Sequence, residues 1–281
     1  MKHGLIMEGG AMRGLFTAGV IDVMMQNGIE FDGAIGVSAG AAFGCNYKSK
    51  QIGRVLRYNK KFCNDKRYCG LRSLITTGDL YSTEFCYGTV PREYDIFDHE
   101  TYNQNPMEFY VVCTDVVSGN PVYHNLDKID GFNFDWIRAS ASMPLVSNIV
   151  DIDSQKLLDG GMSDSIPLKF FESIGYNKNI VILTQPDSYV KKKNTLLPLI
   201  RKVYKKYPGI VNAMTNRHNM YNETIEYIRK REKSGEILVI RPEYNLPVGR
   251  IEKNPDNLQK AYDIGVKLCS ERIDEIKNFL K

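Results

Sequence analysis

Short apolar segments alternate with amphipathic ones along most of the chain, and this pattern predicts strands that alternate with helices. Apolar or β-branched runs typical of buried strands occupy residues 4–7, 34–37, 108–117, 156–158, 179–184 and 236–240. Helical patterns occupy residues 12–26, the small residues after position 38, and residues 135–142, 168–174, 212–233 and 256–279. The alternation predicts an α/β fold of three layers, in which helices cover both faces of a central, mainly parallel sheet.

Local signals set some of these boundaries. Asn27-Gly28 is typical of a helix C-terminus, and Met143-Pro144 ends the helix that begins at residue 135, because the residue before proline avoids helical geometry. Residues 64–107 are rich in tyrosine and show no clear period. Because no repeat and no linker rich in proline, glycine or serine divides the chain, we expect a single domain over residues 1–281.

The composition mainly excludes certain classes of protein. The 281 residues are 43% hydrophobic and 25% charged, which is ordinary for a globular protein and excludes a disordered or collagen-like chain. A formal net charge of +4 gives no support to nucleic-acid binding, and we expect no such partner. Only a short apolar run precedes Glu8, so we expect no signal peptide and a cytoplasmic protein, with peripheral membrane contact as an option.

The cysteines are scattered along the sequence without a Cys-x-x-Cys pair. In a chain of this length, which can bury a sizeable core, this pattern favours reduced and mostly buried thiols over disulfides. The same spacing disfavours zinc, and we expect neither a metal site nor another cofactor. The six cysteines are Cys45, Cys63, Cys69, Cys86, Cys113 and Cys269.

A first candidate site is the segment Gly36-Val37-Ser38-Ala39-Gly40, which fits the pattern Gly-x-Ser-x-Gly of a nucleophile elbow. The chemistry needs a serine on a sharp turn between a strand and a helix. Small neighbours permit such a turn, and the helix N-terminus directs N–H groups at a developing oxyanion. A predicted strand precedes Ser38 and a predicted helix follows it, which favours the elbow. A tight turn without chemistry is the alternative.

A second candidate is Glu8-Gly9-Gly10-Ala11-Met12-Arg13-Gly14, which follows the first strand and opens the first helix. Glycines at such a position let backbone N–H groups approach a ligand oxygen closely. A dinucleotide fingerprint does not fit, because Ala11 occupies the place of its middle glycine. An oxyanion hole for a nucleophile on the next strand fits better, since both loops leave the same edge of the sheet. A plain turn remains the alternative.

A third candidate is the acidic turn Leu157-Leu158-Asp159-Gly160-Gly161. Asp159 joins an apolar strand to a flexible turn, at the sheet edge where open α/β proteins bind ligands. Asp151, Asp153 and Asp164 lie nearby in the sequence but do not share this position. An ordinary Asp-Gly turn is the alternative.

A serine hydroxyl needs a neighbouring base before it becomes a good nucleophile. The order Ser38, Asp159, His218 matches the chain order of an α/β-hydrolase triad. However, only one predicted strand precedes Ser38, and His218 lies in a polar patch that indicates a solvated helix face. Both observations disfavour a histidine partner.

Taken together, these motifs resemble the patatin-like phospholipase family. Gly-Gly-x-x-Arg-Gly follows the first strand, Gly-x-Ser-x-Gly follows the second, and Asp-Gly-Gly comes about 120 residues later. The segment Arg138-Ala139-Ser140-Ala141-Ser142-Met143-Pro144 is similar to that family's Arg-Ala-Ser-x-Ala-x-Pro block. The resemblance covers residues 4–185, about two thirds of the chain. It implies a patatin-like three-layer α/β/α fold, with residues 186–281 packing on the part that carries the motifs.

The resemblance also implies an activity, which is hydrolysis of lipid acyl esters by a serine–aspartate dyad without histidine. Phospholipids and lysophospholipids are the implied substrates. In this sequence Ser38 would be the nucleophile and Asp159 the proton acceptor. Ala11 departs from the third glycine of many members, and a positive φ there would strain it. The remaining implied residues are the oxyanion donors Gly9, Gly10 and Ala11, the loop-steadying Arg13, and Gly14, Gly36, Gly40, Gly160 and Gly161 in supporting positions.

Two further features bear on the substrate and leave alternatives open. Residues 188–222 contain eight lysines and arginines and no acid, which suits either an interfacial helix at anionic lipid or a solvated surface helix. Tyrosines between residues 81 and 110 suit either a lid or core packing. An acyltransferase or thioesterase with the same dyad, and a silent lipid-binding module, remain alternatives to the hydrolase. Head group, chain length and oligomeric state stay open.

Overall fold

The computed structural model describes every residue from 1 to 281, and its centre is a sheet of eight strands. The strands are β1 (Lys2–Met7), β2 (Gly33–Val37), β3 (Glu108–Asp115), β4 (Pro121–Asn125), β5 (Val150–Ile152), β6 (Gln155–Asp159), β7 (Tyr176–Ile182) and β8 (Ile237–Ile240). Alternate side chains of β1 enter two different cores, with Leu5 and Met7 in one and Ile6 in the other. The sheet is therefore buried on both faces.

Helices form the two outer layers. They are α1 (Gly14–Gln26), α2 (Ala39–Lys48), α3 (Arg54–Phe62), α4 (Leu71–Thr77), α5 (His99–Gln104), α6 (Asp135–Ser140), α7 (Leu168–Ser173), α8 (Leu197–Val203), α9 (Pro208–Lys233), α10 (Pro255–Glu271) and α11 (Ile273–Phe279). A π-helix spans Glu84–Tyr94, and short 3-10 helices span Ala11–Arg13 and Gly160–Met162.

The strand order is β5-β6-β3-β2-β1-β7-β8, with β4 paired to β3. From β3 to β8 neighbouring strands are parallel, whereas β4, β5 and β6 form an antiparallel part. The predicted three-layer fold with a mainly parallel sheet is confirmed. All six predicted strands are present with small shifts at their ends. The sequence missed β4 and β5 because the first is only half-buried and the second has three residues.

The prediction of one helix over residues 256–279 is wrong. The helix stops at Glu271 and a second one begins at Ile273. Arg272 between them has φ −111° and ψ 11°, which is not helical. Its guanidinium donates to the carbonyl of Val239 (2.7 Å) and to Glu275. An interaction with a distant strand thus sets this break, which the local apolar period does not reveal.

Residues 64–107, which show no period in the sequence, contain α4, the π-helix and α5. Aromatic rings of this segment pack edge to face, with centroids 5.2 Å apart for Phe85 and Phe62 of α3 and 5.7 Å apart for Tyr68 and Tyr81. A π-helix bonds residue i to residue i+5, so its buried positions do not recur with the spacing of an α-helix. This explains why the pattern gives no helical signal there.

The C-terminal third completes both the sheet and one helical layer. β8 extends the sheet beside β7, and α10 packs against α1. A Cβ added at Gly265 would lie 2.1 Å from the carbonyl oxygen of Phe16, and one at Gly19 would lie 2.2 Å from that of Tyr262. Only glycine allows two helix backbones to approach so closely. We propose on this ground that residues 1–281 fold as one domain.

Candidate active site

Ser38 lies on the sharp turn between β2 and α2. Its backbone has φ 55° and ψ −121°, a region that residues other than glycine rarely adopt. Conformations of this kind cost about 1–3 kcal/mol and persist only where the surroundings enforce them. A Cβ added at Gly40 would lie 2.2 Å from the carbonyl oxygen of Met7, so the turn is pressed against the preceding loop. The strand, turn and helix expected around Ser38 are all present.

The register of the sheet brings Asp159 next to Ser38. β4 occupies one edge of β3, so β2 and β6 share the other edge. β2 ends with Val37 beside Val112, and the antiparallel β6 ends with Asp159 beside Cys113. The carboxyl ends of β2 and β6 therefore meet head to head. This brings Asp159, the last residue of β6, close to Ser38, which follows β2.

Asp159 is almost completely buried. It is 5% exposed, and its Oδ1 accepts a hydrogen bond from the N–H of Gly161 (2.7 Å). Burial raises the pKa of the Asp159 carboxyl above its usual value, while Arg217, the Ser38 hydroxyl and the Gly161 N–H act in the opposite direction. A raised pKa makes the carboxylate a stronger base than a solvated aspartate.

The Ser38 hydroxyl and the Asp159 carboxylate form a loose contact. The hydroxyl lowers the pKa of the carboxyl as a hydrogen-bonding neighbour, although the pair does not reach the distance and angle of a full hydrogen bond. Hydrogen bonds between catalytic groups are often long before a substrate binds. The arrangement thus suits proton transfer from Ser38 to Asp159.

Ser140 holds the backbone of the elbow. Its hydroxyl accepts a hydrogen bond from the Ser38 N–H (2.8 Å) and donates one to the carbonyl of Val112 (2.6 Å). The sequence places Ser140 in the Arg-Ala-Ser block but gives it no role, because a hydroxyl that links two backbones leaves no spacing pattern. Ser140 is thereby a positioning residue for the turn that carries Ser38.

The glycine-rich loop passes directly beside Ser38. A Cβ added at Gly9 would lie 2.8 Å from the Cβ of Ser38 and 2.7 Å from the carbonyl oxygen of Val37. The N–H groups of Gly9 and Gly10 form no hydrogen bond within the chain. They are therefore available to a negatively charged oxygen formed beside Ser38.

Two residues of this loop bear on the predictions made for it. Ala11 has φ 49°, so the strain expected of an alanine in place of the third glycine is present. The backbone N–H of Arg13 closes the turn by donating to Gly10 (3.1 Å), whereas its Nε is buried without a partner. The role of the Arg13 side chain in steadying the loop stays a prediction. The other motif glycines lie in close contacts within these turns; they are Gly14, Gly36, Gly160 and Gly161.

An apolar cavity opens beside Ser38. Its empty volume is about 1080 Å³ with the open mouth included, and 18 of its 26 lining residues are hydrophobic. Tyr81 and Tyr87 belong to this lining, whereas Tyr102 is fully buried in the core and Tyr110 packs against Phe170. The tyrosine-rich segment is thus partly cavity wall and partly core packing. The mainly hydrophobic lining suits an apolar group.

His218 does not take the place of Asp159. It forms no hydrogen bond with Ser38, and its Nδ1 is buried without a partner. Its neighbour Arg217 reaches the site instead, where Nε donates to the carbonyl of Gly161 (2.5 Å). In the sequence, Arg217 is only one of several cations in a basic stretch. Which face of α9 meets the sheet edge depends on tertiary packing, so the sequence does not single this residue out.

The chemistry described so far uses only side chains and backbone groups. No three or more histidine, cysteine, aspartate and glutamate side chains are grouped so as to hold a metal ion. All six cysteines are unpaired, and five of them are buried. None of the helices combines the length and apolarity needed to cross a bilayer.

Comparison with known proteins gives several similar chains. The uncharacterized protein YjjU of Escherichia coli is 28% identical over 286 residues, which cover 95% of this chain and 76% of YjjU. Lysophospholipase nte1 of Aspergillus terreus is 22% identical over 98% of this chain, which spans only 18% of the fungal protein. An uncharacterized NTE family protein of Mycobacterium bovis, Mb1092c, is 24% identical over 64% of this chain and 48% of its own length.

Among solved structures, VipD from Legionella pneumophila aligns with 98% of this chain and 67% of its own, at a TM-score of 0.48 and 10% identity. Residues 207–281 match a domain of unknown function, DUF6363. Residues 5–171 match the sequence model of the patatin-like phospholipases, and this match includes the glycine-rich loop, Ser38 and Asp159. The chain therefore belongs to the patatin-like phospholipase family.

Proposed function

We propose that the protein hydrolyses the carboxylic ester bond of lipid acyl chains with Ser38 as nucleophile and Asp159 as base. The observation that carries the proposal is the meeting of β2 and β6 on one edge of β3, which puts a strained serine next to a buried carboxylate. Family membership supports lipid hydrolysis in general. The Aspergillus relative is named as a lysophospholipase, which favours phospholipid-derived esters.

The reaction follows from the positions of these groups. Ser38 Oγ attacks the ester carbonyl carbon while its proton passes to Asp159, and the carbonyl oxygen becomes an oxyanion that faces the N–H groups of Gly9 and Gly10. Collapse of this intermediate breaks the bond to the alcohol, which leaves with the proton held by Asp159. Water then attacks the acyl-enzyme, Asp159 accepts a proton from it, and the fatty acid leaves as Ser38 regains its hydrogen.

The acyl chain would lie in the apolar cavity. Phe43, Tyr58, Phe97 and Met143 contribute to its lining, so an extended hydrocarbon would lose contact with water along much of its length. Each buried methylene contributes roughly 0.8 kcal/mol. We therefore expect long-chain esters to bind more tightly than short ones.

Labelling by a fluorophosphonate probe tests the proposal without a choice of substrate. Such probes phosphonylate serines that are already activated, so we expect one adduct per chain, located on Ser38 by peptide mass spectrometry. Prior labelling should abolish hydrolysis of a long-chain ester. Absence of an adduct on the folded protein, or an adduct on another serine, would contradict the assignment.

Product analysis separates hydrolysis from the two related reactions. With a lysophospholipid, water and an added lipid alcohol present, we expect free fatty acid as the main product. Transfer of the acyl group to the alcohol would favour an acyltransferase, and turnover of only acyl thioesters would favour a thioesterase. Liposome binding without turnover of any ester would favour a catalytically silent lipid-binding module.

We propose in addition that α8 contacts the surface of an anionic membrane. Leu197 and Ile200 are buried, whereas Leu196, Leu199 and Val203 are between 47% and 55% exposed. Four cations accompany this apolar strip, and all are exposed: Arg201, Lys202, Lys205 and Lys206. Exposed apolar side chains beside a group of positive charges are typical of helices that lie on the surface of an anionic membrane.

The double change Leu199→Glu with Val203→Glu is expected to weaken binding to anionic vesicles at least about 10-fold, because it places charge in the apolar strip. Cosedimentation with phosphatidylglycerol vesicles measures this, and hydrolysis of a water-soluble short-chain ester should be unchanged. Ile264→Glu, at an exposed apolar position of α10, is the matched control and should bind normally. Equal binding of all three proteins would refute the contact.

A further inference from the structure

Four cationic side chains gather around the dyad. Burial lowers the pKa of Lys191 to about 8, and the positive charges of the other three act in the same direction. They come from separate parts of the chain, namely the glycine-rich loop, the segment before α8, α9 and the segment before α10. The group, here named the cationic cluster, consists of Arg13, Lys191, Arg217 and Arg250.

Contacts place the cationic cluster at the Asp159 side of the cavity mouth. Arg217 donates to the carbonyl of Gly161 in the acidic turn. The positive charge of Arg250 lowers the pKa of Asp159, and its carbonyl accepts a hydrogen bond from Tyr81 of the cavity wall (3.3 Å). Arg217 and Arg250 are thus close to both the Asp159 turn and the cavity wall.

Most hydrogen-bond donors of the cationic cluster have no partner. Arg13 Nε is buried and unbonded, and Arg217 uses only its Nε. The ammonium of Lys191 lies over the ring of Tyr221, 4.1 Å from its centroid, and over that of Tyr189. A buried charged donor is normally paired, so the unbonded Nε of Arg13 and the other free donors of the cluster favour an anion with several acceptor oxygens as their partner.

The acidic groups nearby do not neutralise the cluster. Glu8 is buried, and its carboxylate is already occupied by the N–H of Thr184 (2.6 Å) and the hydroxyl of Tyr221 (2.8 Å). Asp159 is the other carboxylate, and the proposed reaction engages it. Two carboxylates against four cations leave a net positive charge at the mouth of the site.

We propose that the cationic cluster binds a phosphate group of the substrate, so that the enzyme selects acyl esters that carry a phosphate close to the scissile bond. This inference rests on the proposed function. A phosphate has the multiple acceptor oxygens and the charge that arginine and lysine donors recognise. The acyl chain then occupies the cavity beside Ser38, and the phosphate meets the cluster at its mouth.

Three of the four members of the cationic cluster lie in the C-terminal part of the chain. Lys191, Arg217 and Arg250 follow residue 171, where the match to the patatin-like phospholipases ends, whereas Arg13 precedes it. The dyad and the glycine-rich loop also precede residue 171. Most of the proposed phosphate site thus lies outside the stretch that carries the reaction.

The test compares 1-acylglycerol 3-phosphate with 1-acylglycerol of the same acyl chain, both dispersed in one neutral detergent. We expect kcat/KM of the wild type to be at least about 10-fold higher for the phosphate ester. In Lys191→Gln this preference should fall about 5-fold or more, because one charge-assisted contact is lost. The loss should appear mainly in KM for the phosphate ester. The inference is overturned if the wild type has nearly equal kcat/KM for the two esters, or if Lys191→Gln leaves its preference unchanged.

Two further variants control for charge and chemistry. Lys191→Arg keeps the cation and should keep most of the preference. Lys277→Gln removes an equal charge from an exposed position on α11 and should leave the preference unchanged. If Lys191→Gln does not fold, Arg250→Gln carries the same comparison, since Arg250 is exposed.

Binding to Ser38→Ala separates this inference from the proposed function. Fluorescence anisotropy would compare a labelled acylglycerol phosphate with its neutral counterpart, in the presence and absence of the Lys191→Gln change. Selective binding that needs Lys191, without turnover by the wild type, supports the cluster and contradicts the hydrolase. Equal hydrolysis of both esters supports the hydrolase and contradicts the cluster.

Inorganic phosphate distinguishes a lipid head group from a free ion. Competitive inhibition of phosphate-ester hydrolysis by inorganic phosphate, lost in Lys191→Gln, supports a head-group site. If inorganic phosphate binds but the enzyme hydrolyses the two esters equally well, the cluster is a site for the free ion, and the head-group inference is overturned.

Discussion

Changing Asp159 to asparagine is expected to lower kcat for ester hydrolysis by about 10³-fold, since general bases typically contribute 10² to 10⁴. Asparagine keeps nearly the same shape, and its side-chain oxygen can still accept the hydrogen bond from Gly161. What it lacks is the ability to take the proton of Ser38. The loss should therefore appear in kcat, while KM and the melting temperature change little.

The pH profile gives this prediction a second readout. Burial raises the pKa of Asp159, and the base acts only when it is deprotonated. Activity should therefore rise with pH, with a midpoint above the value near 3.8 of a solvated aspartate, and this acidic limb should vanish in Asp159→Asn.

Asp164→Asn is the matched control for this change. Its carboxyl also has a pKa raised by burial, but it accepts a hydrogen bond from Tyr123 (2.8 Å) away from the dyad. We expect it to keep most of the wild-type kcat. Ser38→Ala should lower activity at least as far as Asp159→Asn, and the double variant should be little worse, because the two residues act as a unit. An Asp159→Asn protein with near-normal kcat would refute the dyad.

Changing Gly9 to alanine is expected to lower kcat about 10²-fold or more, which is the effect of losing an oxyanion donor. The new methyl group would lie 2.8 Å from the Cβ of Ser38 and 2.7 Å from the carbonyl of Val37, so the loop must move away. Its N–H groups would then no longer meet the oxyanion. Ester kcat, the rate of fluorophosphonate labelling and the melting temperature together measure this result.

Ala11→Gly provides the complementary variant in the same loop. At φ 49° glycine removes the strain of alanine, and it also gains freedom in the unfolded chain, so stability should change by no more than about 1 kcal/mol. Activity should be retained. Equal kcat for Gly9→Ala and the wild type would show that the loop does not form the oxyanion hole.

Much of the N-terminal half was predictable because its signals are local. The first two strands and the turns after them are marked by short apolar runs, glycines and a serine, and the structure has them at the expected places. Asp159 was predictable as the end of a strand. Its contact with Ser38 was implied only by the family resemblance. The residues alone do not predict it, because it depends on β4 covering one edge of β3, and this short, half-buried strand has no clear sequence pattern.

The rest of the site depends on tertiary contacts between distant segments. Ser140 links two backbones through one hydroxyl, and Arg217 is one of several cations on a polar helix until α9 packs on the sheet edge. The cavity wall includes a π-helix whose period the sequence pattern does not follow. In each case the decisive neighbour is far away along the chain.

The position of β1 has a consequence for synthesis. The first strand lies in the middle of the sheet between β2 and β7, and α1 is buried on nearly every side, from Gly14 to Met24, partly by α10. A ribosome releases these apolar segments long before the residues that cover them exist. Until α10 has been synthesised, one side of α1 therefore lacks its packing partner, and we expect proteins truncated before residue 255 to expose apolar surface and to aggregate.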